Sequence, residues 1–123
     1  MTISYDVNHD LKRMVTTFSG NVSAMDIEEH VKRRIVDGTD RYEQIVDLRA
    51  AQLVLTTEET HKLAETLAQM ASQTKPSLTV VVAPESLNFG LARMVASLTD
   101  TEYPLHVVRT IGEAEAWIGW KTG

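Results

Sequence analysis

In the stretch NFGLARMVASL, residues 88–98, a glycine and an arginine interrupt an apolar helical pattern. Glycine inside a helix costs about 1 kcal/mol relative to alanine, so Gly90 implies that another element or a ligand comes close to its backbone. Arg93 falls three residues after Gly90 and four after Phe89, on a face beside the stripe of Leu87, Leu91, Met94 and Leu98 that is expected to point inward. Phe89, Gly90 and Arg93 are therefore read as an interaction surface for a second subunit, a protein partner or an acidic ligand. The packing alternative makes Arg93 a partly covered ion-pair partner, its aliphatic stem along Phe89 and its head in water.

A second set, Arg49, Thr56, Thr57, Ser86 and Asn88, gathers only if the chain folds as an open α/β sheet. Loops beyond the carboxyl ends of parallel strands then meet beside helix N-termini, where free amides attract anions. Arg49 would add a bidentate fork for carboxylate or phosphate, and a phosphate on Thr56 or Thr57 would sit at a helix start that tolerates its charge. Each residue also has a plain structural use: Thr56 or Thr57 as a helix cap, Arg49 as the partner of Asp47 or a nearby glutamate. Glu58 and His61 share a helical face, but His9, His30 and His106 bring no second motif of the kind a metal site between helices needs. The histidines are read as solvated and no metal is expected. Gly-x-Ser-x-Gly, the phosphate loop and paired carboxylates are all missing, so neither catalytic residues nor a cofactor are expected.

The elements that must position these residues follow from periodicity and punctuation. Ile3, Tyr5 and Val7 alternate with polar residues, Asn8-His9-Asp10 turns the chain, and Leu11 to Phe18 continues as a second strand, giving an antiparallel hairpin. Ser23 and Asp26 form a capping box for a helix carrying Ile27, Val31 and Ile35, which stops near Asp37-Gly38. A short strand around Ile45 to Leu48 precedes a long helix with Leu63, Leu67 and Met70 on one stripe. SLTVVVA, residues 77–83, has the β-branched run of a strand buried on both faces and is placed at the centre of the sheet. Pro84 opens the helix of the quoted stretch, Asp100 to Pro104 ends it, and LHVVRT is the last strand. Thr110 and Glu113 cap a final short helix in which Ile111, Ala114 and either Trp117 or Ile118 face inward, leaving Trp120 as the more exposed tryptophan. The order β-β-α-β-α-β-α-β-α is α/β: a mostly parallel sheet with an antiparallel amino-terminal hairpin, covered by helices.

At 123 residues the chain is expected to form a single domain, residues 1–123. A formal charge of −5 argues against nucleic acid and anionic lipid as partners. The absence of cysteine excludes disulfides and thiolate chemistry. MTISYDVNHD has neither the basic start nor the apolar run of a signal peptide, and no run approaches the roughly 20 apolar residues of a transmembrane segment, so a cytoplasmic location is expected.

IVDLRAAQLVLTTEET, NFGLARM and EAEAWI, set in this order of elements, resemble the small bacterial STAS-like proteins related to SpoIIAA, the sporulation anti-sigma-factor antagonist. The resemblance covers nearly the whole chain and implies a non-enzymatic regulatory or protein-interaction module, expected here as a homodimer with an unknown protein partner. In regulatory members an aspartate-serine pair lies at the start of the helix after the central strand, and the serine is phosphorylated. The matching region here is Leu53-Val54-Leu55-Thr56-Thr57, without the aspartate, so the hydroxyl would be that of Thr56 or Thr57. SEC14-type relatives imply the alternative, a small carrier or sensor enclosing an apolar or anionic ligand between helix and sheet.

Overall fold

The computed structural model describes residues 2–99 and 103–120. Five strands form one sheet in the order β1-β2-β3-β4-β5: β1 (Thr2–Asn8), β2 (Arg13–Val22), β3 (Glu43–Leu53), β4 (Thr79–Val82) and β5 (Leu105–Val108). β1 and β2 pair antiparallel and the remaining neighbours pair parallel. α1 (Ala24–Asp37), α2 (Thr57–Thr74) and α3 (Ser86–Thr99) connect successive parallel strands, and α4 (Ile111–Ile118) follows β5. Because β2 to β5 lie side by side in chain order, right-handed crossovers put α1, α2 and α3 on the same face of the sheet. α4 covers the other face, where Ala114 and Ile118 pack with Ile45, Val80, Val82 and Val108.

Local signals set the helix limits. Ser23 accepts from Asp26 N–H while the Asp26 carboxylate accepts from Ser23 N–H, and α1 stops at Gly38, whose φ of 74° is a left-handed cap that favours glycine. Thr56 and Glu59 make the same reciprocal pair at the start of α2.

Four expectations need correction. β3 is the central strand, while β4, buried at all four positions, lies second from the edge. Burial on both faces needs only a neighbour on each side and a helix above and below, so it does not mark the centre. β3 also runs well beyond Ile45–Leu48 at both ends, and β2 begins at Arg13 rather than Leu11.

The largest difference concerns α3. Its inward stripe is Asn88, Ala92, Val95 and Thr99, whereas Leu87 and Leu98 are 53% and 46% exposed. The two stripes have the same spacing and lie one residue, about 100°, apart. Leu91 and Met94 are half-buried between them. The expected end of α3 falls largely on residues 100–102, outside the described residues. Among the described residues, no helix is long and apolar enough to cross a membrane.

Candidate functional site

On α3, Phe89 is half-buried against the core, while Gly90 and Arg93 are exposed. A Cβ built on Gly90 would meet nothing within 4 Å, so among the described residues no element approaches it, and of the two expected reasons for a glycine here packing by another element is not met. The guanidinium carbon of Arg93 lies 5.7 Å from the Phe89 ring centroid, and that of Arg109, just after β5, lies 4.0 Å from the same centroid. Sequence spacing gave no sign of Arg109; it reaches Phe89 only because β5 runs beside α3. Its Nη1 donates to Pro84 O at 3.3 Å. Among the described residues neither arginine has a carboxylate within ion-pair distance. The ion pair expected for Arg93 is therefore not formed there, and both cations gather on one aromatic ring.

The neighbouring edge adds His106 and Trp117, whose rings stack with centroids 3.8 Å apart. Burial pushes the His106 imidazole below its usual range, and the charge of Arg93 adds to that. Trp117 is 54% exposed. Trp120 is the better covered tryptophan, donating to Glu43 Oε1 at 3.2 Å beneath Arg13, so the expected order of exposure is reversed.

The second set is differently arranged. Arg49 donates to both oxygens of Asp47, with Nε to Oδ1 at 3.1 Å and Nη2 to Oδ2 at 2.9 Å, and the Asp47 side chain is only 8% exposed. Burial pushes the Asp47 carboxyl up, but the Arg49 side-chain and backbone donors outweigh it and hold the group below the usual carboxylate range. Thr56 caps α2. Thr57 and Ser86 are exposed at the first positions of α2 and α3. The Glu85 carboxylate already takes the Leu87 and Asn88 N–H groups at the start of α3, and these donors lower its pKa. Asn88 is 1% exposed; its Oδ1 accepts from Leu53 N–H and its Nδ2 donates to Ala51 O, both at 2.9 Å. Arg49, Thr56 and Asn88 are thus each engaged within the chain. Thr56→Ala should lower stability by about 1 kcal/mol through the lost cap. A thermal melt that does not move would show that the Thr56 hydroxyl is free for another use.

Sequence reasoning also missed a buried polar cluster. His30, read as solvated, is 5% exposed. Its Nε2 lies 2.8 Å from Gln44 Oε1, which also accepts from Thr16 Oγ1 at 2.6 Å, while Gln44 Nε2 donates to Thr79 Oγ1 at 3.2 Å. Gln44 Oε1 needs donors, so His30 carries its proton on Nε2, leaving Nδ1 to accept from Tyr5 O–H at 3.4 Å. Burial, helped by the Arg34 charge, pushes the imidazole down to about 4, against a smaller raising effect of Gln44. Arg34 is itself 2% exposed, its Nη2 donating to Thr39 O and Tyr42 O at 2.8 Å. The helical phase of α1 could have revealed His30, which stands one position before Val31 and three after Ile27. Of the other histidines, His9 and His61 are exposed as expected, His9 contacting the Tyr42 hydroxyl at 2.9 Å and His61 lying on α2 with exposed Glu58, whereas His106, also read as solvated, is half-buried against Trp117.

No family model matches the sequence, and no curated protein matches it. Solved structures similar to the chain include the following two. The anti-sigma-factor antagonist SpoIIAA in its unphosphorylated form aligns over 96% of this chain and 98% of its own, with a TM-score of 0.56 and 11% identity. An uncharacterised protein of the DUF3478 family from Shewanella loihica, described as having a SpoIIAA-like fold, aligns over 94% of this chain and 91% of its own, with a TM-score of 0.59 and 11% identity. At that identity the likeness speaks to architecture, and it agrees with the β-β-α-β-α-β-α-β-α order and the mixed sheet: the chain has a SpoIIAA-like fold.

Proposed function

We propose that the chain acts as a single non-enzymatic module of STAS-like type, regulating by docking an acidic segment of a protein partner along the outer face of α3. The observation that carries this reading is Gly90. A helix interior keeps a destabilising glycine with open space around it, so no packing need among the described residues accounts for it. Exposed Leu87 and Leu98 lie along the same helix and supply apolar contact area. Arg93 and Arg109, without carboxylate partners among the described residues, supply charge complementary to an acidic segment. A two-fold pairing of this ridge with itself would gather four arginines without carboxylate partners in one interface, so a homodimer would use another surface. The fold match to an anti-sigma-factor antagonist supports a regulatory role.

Native mass spectrometry of the protein purified from its host tests the reading. A hetero-complex is expected, lost in Phe89→Ala and Arg93→Ala, with the melting temperature nearly unchanged in Arg93→Ala. The same spectrum reads any phosphate on Thr56 or Thr57. A bare chain, or a complex indifferent to both substitutions, would overturn the reading. Gly90→Ala separates packing from docking: it should stabilise the chain by about 1 kcal/mol in urea unfolding while weakening the complex. Stabilisation with undiminished binding would show that the partner does not use the notch.

A further inference from the structure

Between the sheet and helices α1, α2 and α3 lies a partly open cavity of about 90 Å³, lined by residues including Phe18, Val46, Leu67, Val81, Ala92 and Val95. Protein interiors ordinarily leave few voids larger than a water molecule. This one follows from the phase of α3. Its small residues Ala92 and Val95 face the sheet, while its large Leu87 and Leu98 face out, the reverse of what close packing alone would select.

The wall decides what could enter. His30, Gln44, Thr79 and Tyr103 are its polar members. Gln44 Oε1 is shared by His30 and Thr16, Gln44 Nε2 is given to Thr79, His30 Nδ1 meets Tyr5, and the Tyr103 hydroxyl lies 3.5 Å from Arg34 Nη1. Among the described residues, the buried side-chain polar atoms without a partner are Arg34 Nε and Glu115 Oε2, and neither residue lines the cavity. A buried water needs about two to four polar partners, and a buried anion needs donors or a cation. Apart from the hydrogens of the Thr79 and Tyr103 hydroxyls, which these bonds do not use, the lining offers no donor and no cation without breaking its own hydrogen bonds.

We propose that this cavity is a binding site for one small, uncharged, apolar molecule no larger than a single ring. Of the apolar and anionic ligands that the sequence left open, the wall selects the first. The site is independent of the α3 ridge, although Ala92 and Val95 lie on the inner side of the same helix, so occupancy and docking meet on one element. An engineered apolar cavity of about 150 Å³ stays dry and accepts benzene. The cavity here is smaller, which makes xenon the tighter-fitting probe and benzene the limiting one.

Methyl NMR of the full chain titrated with xenon, benzene and benzoate tests the site. Saturable shifts confined to the methyls of Leu63, Leu67, Val81 and Val95 are expected with xenon, and with benzene once Leu67→Ala enlarges the space; benzoate should give none. Ala92→Leu should fill the cavity and weaken xenon binding about tenfold or more. Val95→Leu is the second filling variant should Ala92→Leu fail to fold. Failure of xenon and benzene to saturate in both the unsubstituted chain and Leu67→Ala would overturn the site. Benzoate binding as tightly as benzene would overturn the ligand class, and neither outcome touches docking on α3.

Discussion

Urea unfolding is expected to show about 3 kcal/mol less stability near pH 4 than at pH 7 from His30 alone. The imidazole is pushed down to about 4 in the folded chain, against an ordinary value of 6.5. Above the unfolded value both states are neutral and the group contributes no pH dependence. As pH falls below it, the unfolded chain takes up a proton that the folded chain refuses, so stability drops progressively. The loss levels off once pH passes below the folded value and both states are protonated. The physical cause is that a charged imidazole would lose its hydration beside the buried Arg34 cation while donating from both nitrogens. Carboxylates such as Asp47 add their own acid dependence, and His30→Gln separates the two. That variant should flatten the pH 6.5 to 4 portion of the curve and leave the more acidic portion in place. An unchanged slope in His30→Gln would show that His30 is solvated and protonated in the folded chain. The cavity should respond as well, because protonating His30 removes the acceptor for Tyr5 and places a cation in an apolar wall.

His30 also shows where sequence reasoning reaches its limit. Signals that act within a few residues were legible: Ser23 with Asp26, a threonine cap at Thr56 or Thr57, a helix stop near Asp37-Gly38, and Arg49 pairing with a nearby carboxylate, which the structure resolves to Thr56, Gly38 and Asp47. Each rests on a bond spanning five residues or fewer, so sequence spacing is nearly geometry. The order of elements was legible for a related reason, since alternating strands and helices admit few chain paths. The polar row was not. Thr16, Gln44 and Thr79 lie on three strands and meet because the register sets Gln44 opposite Thr79 and beside the β2 face that carries Thr16. No local pattern announces that His30 from α1 will close this row.

The phase of α3 was illegible for a different reason. Leu87, Leu91, Met94 and Leu98 make a more apolar stripe than Asn88, Ala92, Val95 and Thr99, and hydrophobicity alone selects the wrong one. Asn88 settles the contest by offering a donor and an acceptor to the end of β3, and Thr99 satisfies itself through Val95 O at 2.9 Å. Two buried polar residues thereby turn a leucine-bearing stripe toward solvent. The exposed ridge proposed for docking and the cavity both follow from that rotation, one on each side of the helix.

Asn88→Ala should therefore be among the most damaging single substitutions in the chain, lowering stability by about 2 to 4 kcal/mol. It orphans the buried Leu53 N–H and the Ala51 carbonyl at the end of β3, and each unsatisfied group carries a desolvation penalty of about 1 to 3 kcal/mol. Asn88→Asp retains an acceptor for Leu53 N–H but turns a carboxylate oxygen toward the Ala51 carbonyl, so it should not rescue the loss. The denaturant midpoint, with the slope unchanged, is the measurement. The contrast with Arg93→Ala, five residues along the same helix, is what gives the result functional meaning. Arg93→Ala should abolish docking at constant stability, whereas Asn88→Ala should weaken docking only as far as it loosens α3 from β3. An Asn88→Ala chain as stable as the original would mean that this side chain is not held by β3, returning it to the set of groups free to serve a ligand at the edge of the sheet.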